Sequence, residues 1–126
     1  MLRKLSFTLV VLTLVLGFSS AAFAQKTTVK RVVVVKTNDV AAYVQMVAKA
    51  DAIEKKLGLT IHTTIWQATF AGPDSGTVIA TLDFPDMQTL ADDYTKLNAD
   101  PDYQAWLADL NKIRTIVSDS IYKELY

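Results

Sequence analysis

Apolar and polar positions change period several times along residues 25–126, and each change predicts an element. Val32-Val33-Val34-Val35, flanked by Lys30-Arg31 and Lys36, is an unbroken β-branched run, which predicts a strand buried on both faces. Thr37-Asn38-Asp39 offers a helix cap. Beyond it Tyr43, Met46, Val47, Ala50, Ile53 and Leu57 recur at helical spacing, an apolar stripe on one continuous helix. Lys55 and Lys56 complement the dipole of its last turn, and Gly58 stops it. Thr60 to Ala71 is rich in β-branched and aromatic residues and predicts a second strand. Gly72-Pro73-Asp74-Ser75-Gly76 is a turn, and Thr77 to Phe84 returns from it as a third strand. Pro85-Asp86 opens a helix with Met87, Leu90, Ala91, Tyr94 and Leu97 on one stripe. Asp100-Pro101 then caps a short further helix carrying Tyr103, Trp106, Leu107, Leu110 and Ile113. Ser118 to Tyr126 reads as the last strand.

The order β-α-β-β-α-(α)-β is a split βαβ arrangement of ferredoxin-like, α+β type: a four-stranded antiparallel sheet with helices on one face. The other face is left open. On the second strand His62, Thr64, Trp66, Ala68 and Phe70 point one way, and Ile61, Thr63 and Ile65 the other. Both faces carry large apolar groups, and an exposed patch of that kind marks a partner or a ligand. Two such sheets packed face to face would bury it.

The first 24 residues have a different character. Arg3 and Lys4 give a basic start, Leu5 to Phe18 is free of charge, and Ala22-Phe23-Ala24 supplies small residues where a signal peptidase needs them. A spanning helix needs roughly 20 apolar residues, and this run is shorter. The expectation is a cleavable signal peptide over 1–24, cut after Ala24. A single domain over 25–126 would then be periplasmic or secreted, with no membrane association after cleavage.

Composition narrows the chemistry. Without Arg3 and Lys4, 11 basic residues face 13 acidic ones, which is no electrostatic footprint for nucleic acid. The charges are unevenly placed: residues 25–60 hold seven Lys/Arg and three acids, residues 61–126 four and ten. Solvated helix faces explain this, as would charge complementarity within a self-associating molecule. The chain has no cysteine, so disulfides, thiolate chemistry and Cys-ligated metals are excluded.

Two segments carry a resemblance. Val78-Ile79-Ala80-Thr81-Leu82-Asp83-Phe84 runs straight into a helix, and Leu97-Asn98-Ala99-Asp100-Pro101-Asp102-Tyr103-Gln104-Ala105-Trp106 forms a helix junction. With the element order, they resemble the dimeric α/β-barrel superfamily that includes antibiotic-biosynthesis-monooxygenase and NIPSNAP-like domains. The resemblance covers nearly all of residues 28–126. It implies a homodimer whose two sheets form a barrel, often with a cavity between each sheet and its helices. Members of the superfamily that degrade haem use a histidine, an asparagine and a tryptophan in one cavity. The histidine comes from the second-half helix, where this chain has Leu90, Ala91 and Tyr94.

The candidate chemistry is sparse. His62 is the only histidine, too little for a multi-His metal site. It shares a strand face with Trp66. Trp66, Phe70, Tyr94, Tyr103, Trp106 and Tyr122 are core aromatics by their periodicity and pocket aromatics by their chemistry. Asp100 reads as a cap, Asp102 as a dipole complement and Asp92-Asp93 as a solvated face. Ser75, Ser118 and Ser120 have no nucleophile-elbow motif around them. The expectation is a small-molecule-binding or structural module without a cofactor, taking a small hydrophobic or aromatic ligand. Its candidate ligand contacts are His62, Trp66, Phe70, Tyr94 and Tyr122. The alternatives are a cofactor-independent monooxygenase acting on an aromatic substrate and a haem-binding module.

Overall fold

The computed structural model describes residues 27–126; the expected signal peptide and its cleavage site lie outside them. Strand β1 (Val29–Lys36) is followed by helices α1 (Val40–Ala48) and α2 (Ala50–Lys56), strands β2 (His62–Gln67) and β3 (Val78–Phe84), helices α3 (Met87–Ala99) and α4 (Pro101–Lys112), and strand β4 (Thr115–Lys123). The sheet order is β2-β3-β1-β4, with every neighbouring pair antiparallel. This is the α+β, ferredoxin-like arrangement that the element order implies.

Parity decides which residues meet the helices. Val33, Val35, Val78 and Ala80 alternate toward the helices and join Tyr43 and Leu110 in the main core. Val29, Phe84 and Leu90 form a second cluster, and Leu59, Leu97 and Tyr103 a third. Val32 and Val34 point the other way and are only half-buried. The expectation that the valine run is buried on both faces therefore holds for one face of the single chain.

Several boundaries differ from the pattern reading, each for a local reason. The predicted long helix is broken at Lys49 into α1 and α2. There the Lys49 N–H turns back to the Met46 carbonyl at 3.2 Å, and the same carbonyl accepts the Trp106 indole N–H at 2.7 Å. A side chain from α4 thus competes for a helix carbonyl, a recognised cause of helix kinks. β2 is shorter than predicted: after Ala68, which still pairs with Thr77, the chain leaves the sheet for a 3₁₀ turn at Gly72–Asp74. β4 starts earlier, at Thr115, and is bulged opposite Val34/Val35, where Val117 is the extra residue.

The caps follow the sequence closely. Asp39, Asp86 and Asp100 each accept a backbone N–H at the start of α1, α3 and α4. Gly58, at φ +70°, closes α2 in a Schellman motif, with Gly58 N–H on Lys55 O and Leu59 N–H on Glu54 O. The uneven charge distribution is matched inside the chain. Lys30 pairs with Asp83, Arg31 with Asp119, and Lys56 with both Asp100 and Asp102. Among the described residues no helix is long and apolar enough to cross a membrane.

Candidate functional site

A cavity of about 250 Å³ lies between the helix face of the sheet and the helices. Its floor is Arg31 and Val33 of β1, Thr63 of β2, and Ala80 and Leu82 of β3. Ala80 is the short side chain of β3 here, and close-packed interiors open space where a small residue faces a helix pair. The roof comes from all four helices. Tyr43 and Val47 belong to α1, Ala50 and Glu54 to α2, Tyr94 and Asn98 to α3, and Tyr103, Trp106 and Leu110 to α4. Arg114, just before β4, closes one end.

The aromatic wall is fixed by its own contacts. Tyr103 and Trp106, one helical turn apart, hold their rings 5.3 Å apart at 32°. The hydrogen bond to Met46 O pins the Trp106 indole. Tyr94 packs on Phe84 at 5.9 Å, and the Arg31 guanidinium lies 4.8 Å from the Tyr94 ring centre. Arg31 also donates to the Tyr94 hydroxyl and, through two nitrogens, to the Asp119 carboxylate, with Nε–Oδ1 at 2.8 Å. The Asp119 hydrogen bonds push the Arg31 pKa up and hold Asp119 below the usual carboxylate range. Arg31 and Tyr94 also border an outer groove with Leu90, Asp119 and Ile121, so this pair is the wall between groove and cavity.

Two polar groups in the cavity wall lack a protein partner. Glu54 is only 9 % exposed, and its carboxyl makes no hydrogen bond or ion pair among the described residues. Burial, then the like charges of Asp51 and Asp93, push its pKa up to about 7. Tyr43 is fully buried and its hydroxyl has no hydrogen-bond partner. Burial raises the Tyr43 pKa, and the neighbouring Arg114 guanidinium works against that rise. Tyr103 is pushed up to about 12, again chiefly by burial. The Tyr43 hydroxyl is a fully buried polar atom without a partner, a state that costs on the order of 1–3 kcal/mol, whereas the Glu54 carboxyl is less completely enclosed.

Of the five residues singled out from the sequence, Tyr94 borders this cavity. His62 and Trp66 lie on the open face of edge strand β2. The His62 ring is 3.5 Å from Thr64 Oγ1, and the Trp66 indole donates to Thr81 Oγ1 at 3.1 Å. Tyr122 is on the open face of the opposite edge strand, beside Lys30. Phe70 stands fully exposed in the β2–β3 loop. His62 and Trp66 thus share a strand face without touching each other, and the other three are apart from them and from one another. The pattern reading passed over Glu54, Arg31 and Arg114 because charged residues on amphipathic elements look like solvated positions. Glu54 carries one legible trace, since it lies one position after Ile53 of the apolar stripe. Asp93 departs from the solvated-face expectation: α3 packs it inward, 8 % exposed, where burial raises its pKa. Among the described residues no group of three His, Cys, Asp or Glu side chains is placed to hold a metal ion.

Comparison with solved structures places this geometry. A cofactor-independent oxygenase from Streptomyces nogalater, SnoaB, superposes with a TM-score of 0.60 at 11 % identity, covering 79 % of this chain and 95 % of that one. A mutant of the same oxygenase gives 0.59 at 13 % identity, covering 79 % and 94 %. A NIPSNAP family protein from Agrobacterium tumefaciens str. C58 gives 0.57 at 16 % identity, covering 78 % and 91 %. The fold is that of the antibiotic-biosynthesis-monooxygenase and NIPSNAP-like domains. No known family profile and no curated protein matches the sequence.

Proposed function

We propose that this protein binds a small aromatic molecule in the cavity between sheet and helices, and that it works as an exported homodimer whose open sheet faces pack together. One observation carries the binding reading: a cavity walled by Tyr94, Tyr103 and Trp106 holds a buried carboxyl, Glu54, to which the protein offers no partner. Apolar walls with a few convergent polar groups are the usual make-up of a ligand site. Calorimetric titration with benzyl alcohol tests it. Saturable binding of one molecule per chain, lost in Ala80→Leu where the added side chain fills the floor, is expected. Absence of binding by the unsubstituted protein, with benzyl alcohol and with phenol, benzoate and 4-hydroxybenzoate alike, overturns the reading. Light scattering at micromolar concentration tests the dimer, and a stable monomer sinks it. Export predicts that the protein recovered from outside the cytoplasm begins at Gln25.

A second reading, cofactor-independent oxygenation, is supported by Glu54 and by the fold shared with SnoaB. A carboxyl with its pKa near neutrality is suited to take a proton from an electron-rich phenol. The resulting carbanion or phenolate would pass electrons directly to O₂. The ring carbon para to the phenolic oxygen would take one oxygen atom and become C=O, and its hydrogen and the phenolic proton would leave with the second oxygen atom as water. His62 and Trp66 face away from this cavity within one chain, so in this reading they serve only a site between two packed sheets. Oxygen uptake with an electron-rich phenol, abolished by Glu54→Gln, is the expected result; equal uptake by the variant removes Glu54 from the role.

A further inference from the structure

The cavity has two poles of opposite character. At one, Glu54 projects from α2 with no cation beside it. The charges that bear on it are Asp51 of its own helix and Asp93 of α3, both acidic, and Arg31 is already engaged by Asp119 and Tyr94. At the other, Arg114 closes the cavity where α4 gives way to β4. Its Nε donates to Asn111 Oδ1 at 3.0 Å, and it forms no direct ion pair among the described residues, although its charge reaches Asp119, which Arg31 already holds. The buried hydroxyl of Tyr43 neighbours it. Tyr43 packs with Leu110 in the last turn of α4, close in the chain to Arg114, while Ile53, the neighbour of Glu54, packs in the separate cluster of Tyr103 at the start of α4, so the poles lie apart. Tyr103, in that separate cluster, lines the cavity on the Glu54 side, and Trp106, packed against both clusters, lies between the poles. The intervening walls are apolar or aromatic, formed by Val33, Ala80, Leu110 and Trp106.

Each pole selects a different chemistry. A half-buried guanidinium without a carboxylate prefers an anion, and a planar carboxylate matches its fork of donors. A buried carboxylate with no donor requires a hydroxyl or amine proton from the ligand. A purely apolar ring would leave both poles unpaired, and a second acid at the far end would oppose Glu54. The cavity volume, about 250 Å³, lies below the usual range for drug-sized ligands, roughly 300–1,000 Å³. That favours a single ring.

Building on the binding reading above, the geometry points to a one-ring aromatic acid bearing a hydroxyl or amino group opposite its carboxylate. The carboxylate meets Arg114 and the Tyr43 end, the ring lies against Tyr103 and Trp106, and the hydroxyl or amine donates to Glu54. Recognition is then bipolar, and neither half of the molecule binds as tightly as the whole.

The test is calorimetric titration at pH 8 with 4-hydroxybenzoate, benzoate, phenol and benzyl alcohol as probes, against the unsubstituted protein, Glu54→Gln and Arg114→Gln. A site built around a ligand's hydrogen-bonding group discriminates strongly against analogues that lack it. The expected result is that 4-hydroxybenzoate binds at least about tenfold more tightly than benzoate or phenol. Glu54→Gln should bring 4-hydroxybenzoate down to the affinity of benzoate while leaving benzoate within about twofold. Arg114→Gln should bring it down to the affinity of phenol. The inference is overturned if 4-hydroxybenzoate binds no better than benzoate or phenol. It is equally overturned if Glu54→Gln weakens benzoate and 4-hydroxybenzoate alike. If benzyl alcohol binds in either case, the cavity remains a ligand site and only its bipolar character is lost. If none of the four probes binds, the binding reading falls and this inference falls with it.

Discussion

The two faces of one sheet are built from the same strands and end in different states. On the helix side Val33, Val35, Val78 and Ala80 are 5 % exposed or less. On the other side Val32 and Val34, alternating with them, stay half-buried, and Trp66 is 57 % exposed. The residue types hardly differ; what differs is the covering. Four helices close the first face, and nothing within the described chain closes the second. The first face is also the one where packing is left incomplete, around Glu54 and Ala80, so the covered side carries the candidate cavity while the open side leaves its apolar residues uncovered within the described chain.

The comparison can be broken by substitution. Leu110→Ala, under the helices and 1 % exposed, should cost about 2–5 kcal/mol in chemical denaturation; a loss below about 1 kcal/mol would mean that this side is not the stabilising core. Glu54→Gln tests the incomplete part of the same side. The carboxyl is raised from 4.5 to about 7, so the folded state holds its proton more tightly than the unfolded state does. Stability is therefore expected to fall as pH rises from about 4.5 to 7 and then to level off. Glu54→Gln should flatten that fall, stabilising the protein at pH 8 and hardly at all at pH 4, with solvent screening of the partly accessible carboxyl keeping the gain below the full linkage value. Melting curves at the two pH values check the sign; equal shifts at both would show that Glu54 is not held protonated by its surroundings.

Smaller effects test the open side and the helix ends. Trp66→Ala should weaken self-association by about 2 kcal/mol if the open faces pack on each other, with little effect on the unfolding of dilute protein. Sedimentation across a concentration series reads this directly, and an unchanged profile argues that Trp66 lies outside any interface. Asp39→Ala should cost about 1 kcal/mol by removing the cap of α1. Circular dichroism melts suffice for that comparison, and a neutral outcome would place the stability of α1 in its packing alone.

The sequence was most legible where local rules act. Asp39, Asp86, Asp100 and Gly58 mark helix ends by chemistry that needs no distant partner, and the alternation around His62 and Trp66 assigned the faces of β2 correctly. It was least legible where one element reaches another. The kink at Lys49 depends on Trp106 taking the carbonyl of Met46, 60 residues earlier in the chain. Glu54 became a site residue through the packing of α3 and α4 around it, which no spacing along α2 encodes. Asp93 was misplaced for the same reason: its helix turns it toward α2, and that orientation is a tertiary fact. Aromatic residues were legible as a class and illegible as a set. Tyr94, Tyr103 and Trp106 converge, while Trp66, Phe70 and Tyr122 disperse over the open face and its loop.

The two tryptophans of the chain fall on opposite sides of the sheet, Trp106 in the cavity wall and Trp66 on the open face. The molecule therefore carries one intrinsic fluorophore for each of its two unanswered surfaces. A ligand stacked in the cavity would quench the sheltered emission of Trp106, and a second chain packed against the sheet would shift the solvent-exposed emission of Trp66 to the blue. Replacing either indole with phenylalanine leaves a single-colour reporter, so occupancy and association can be followed separately in the same cuvette.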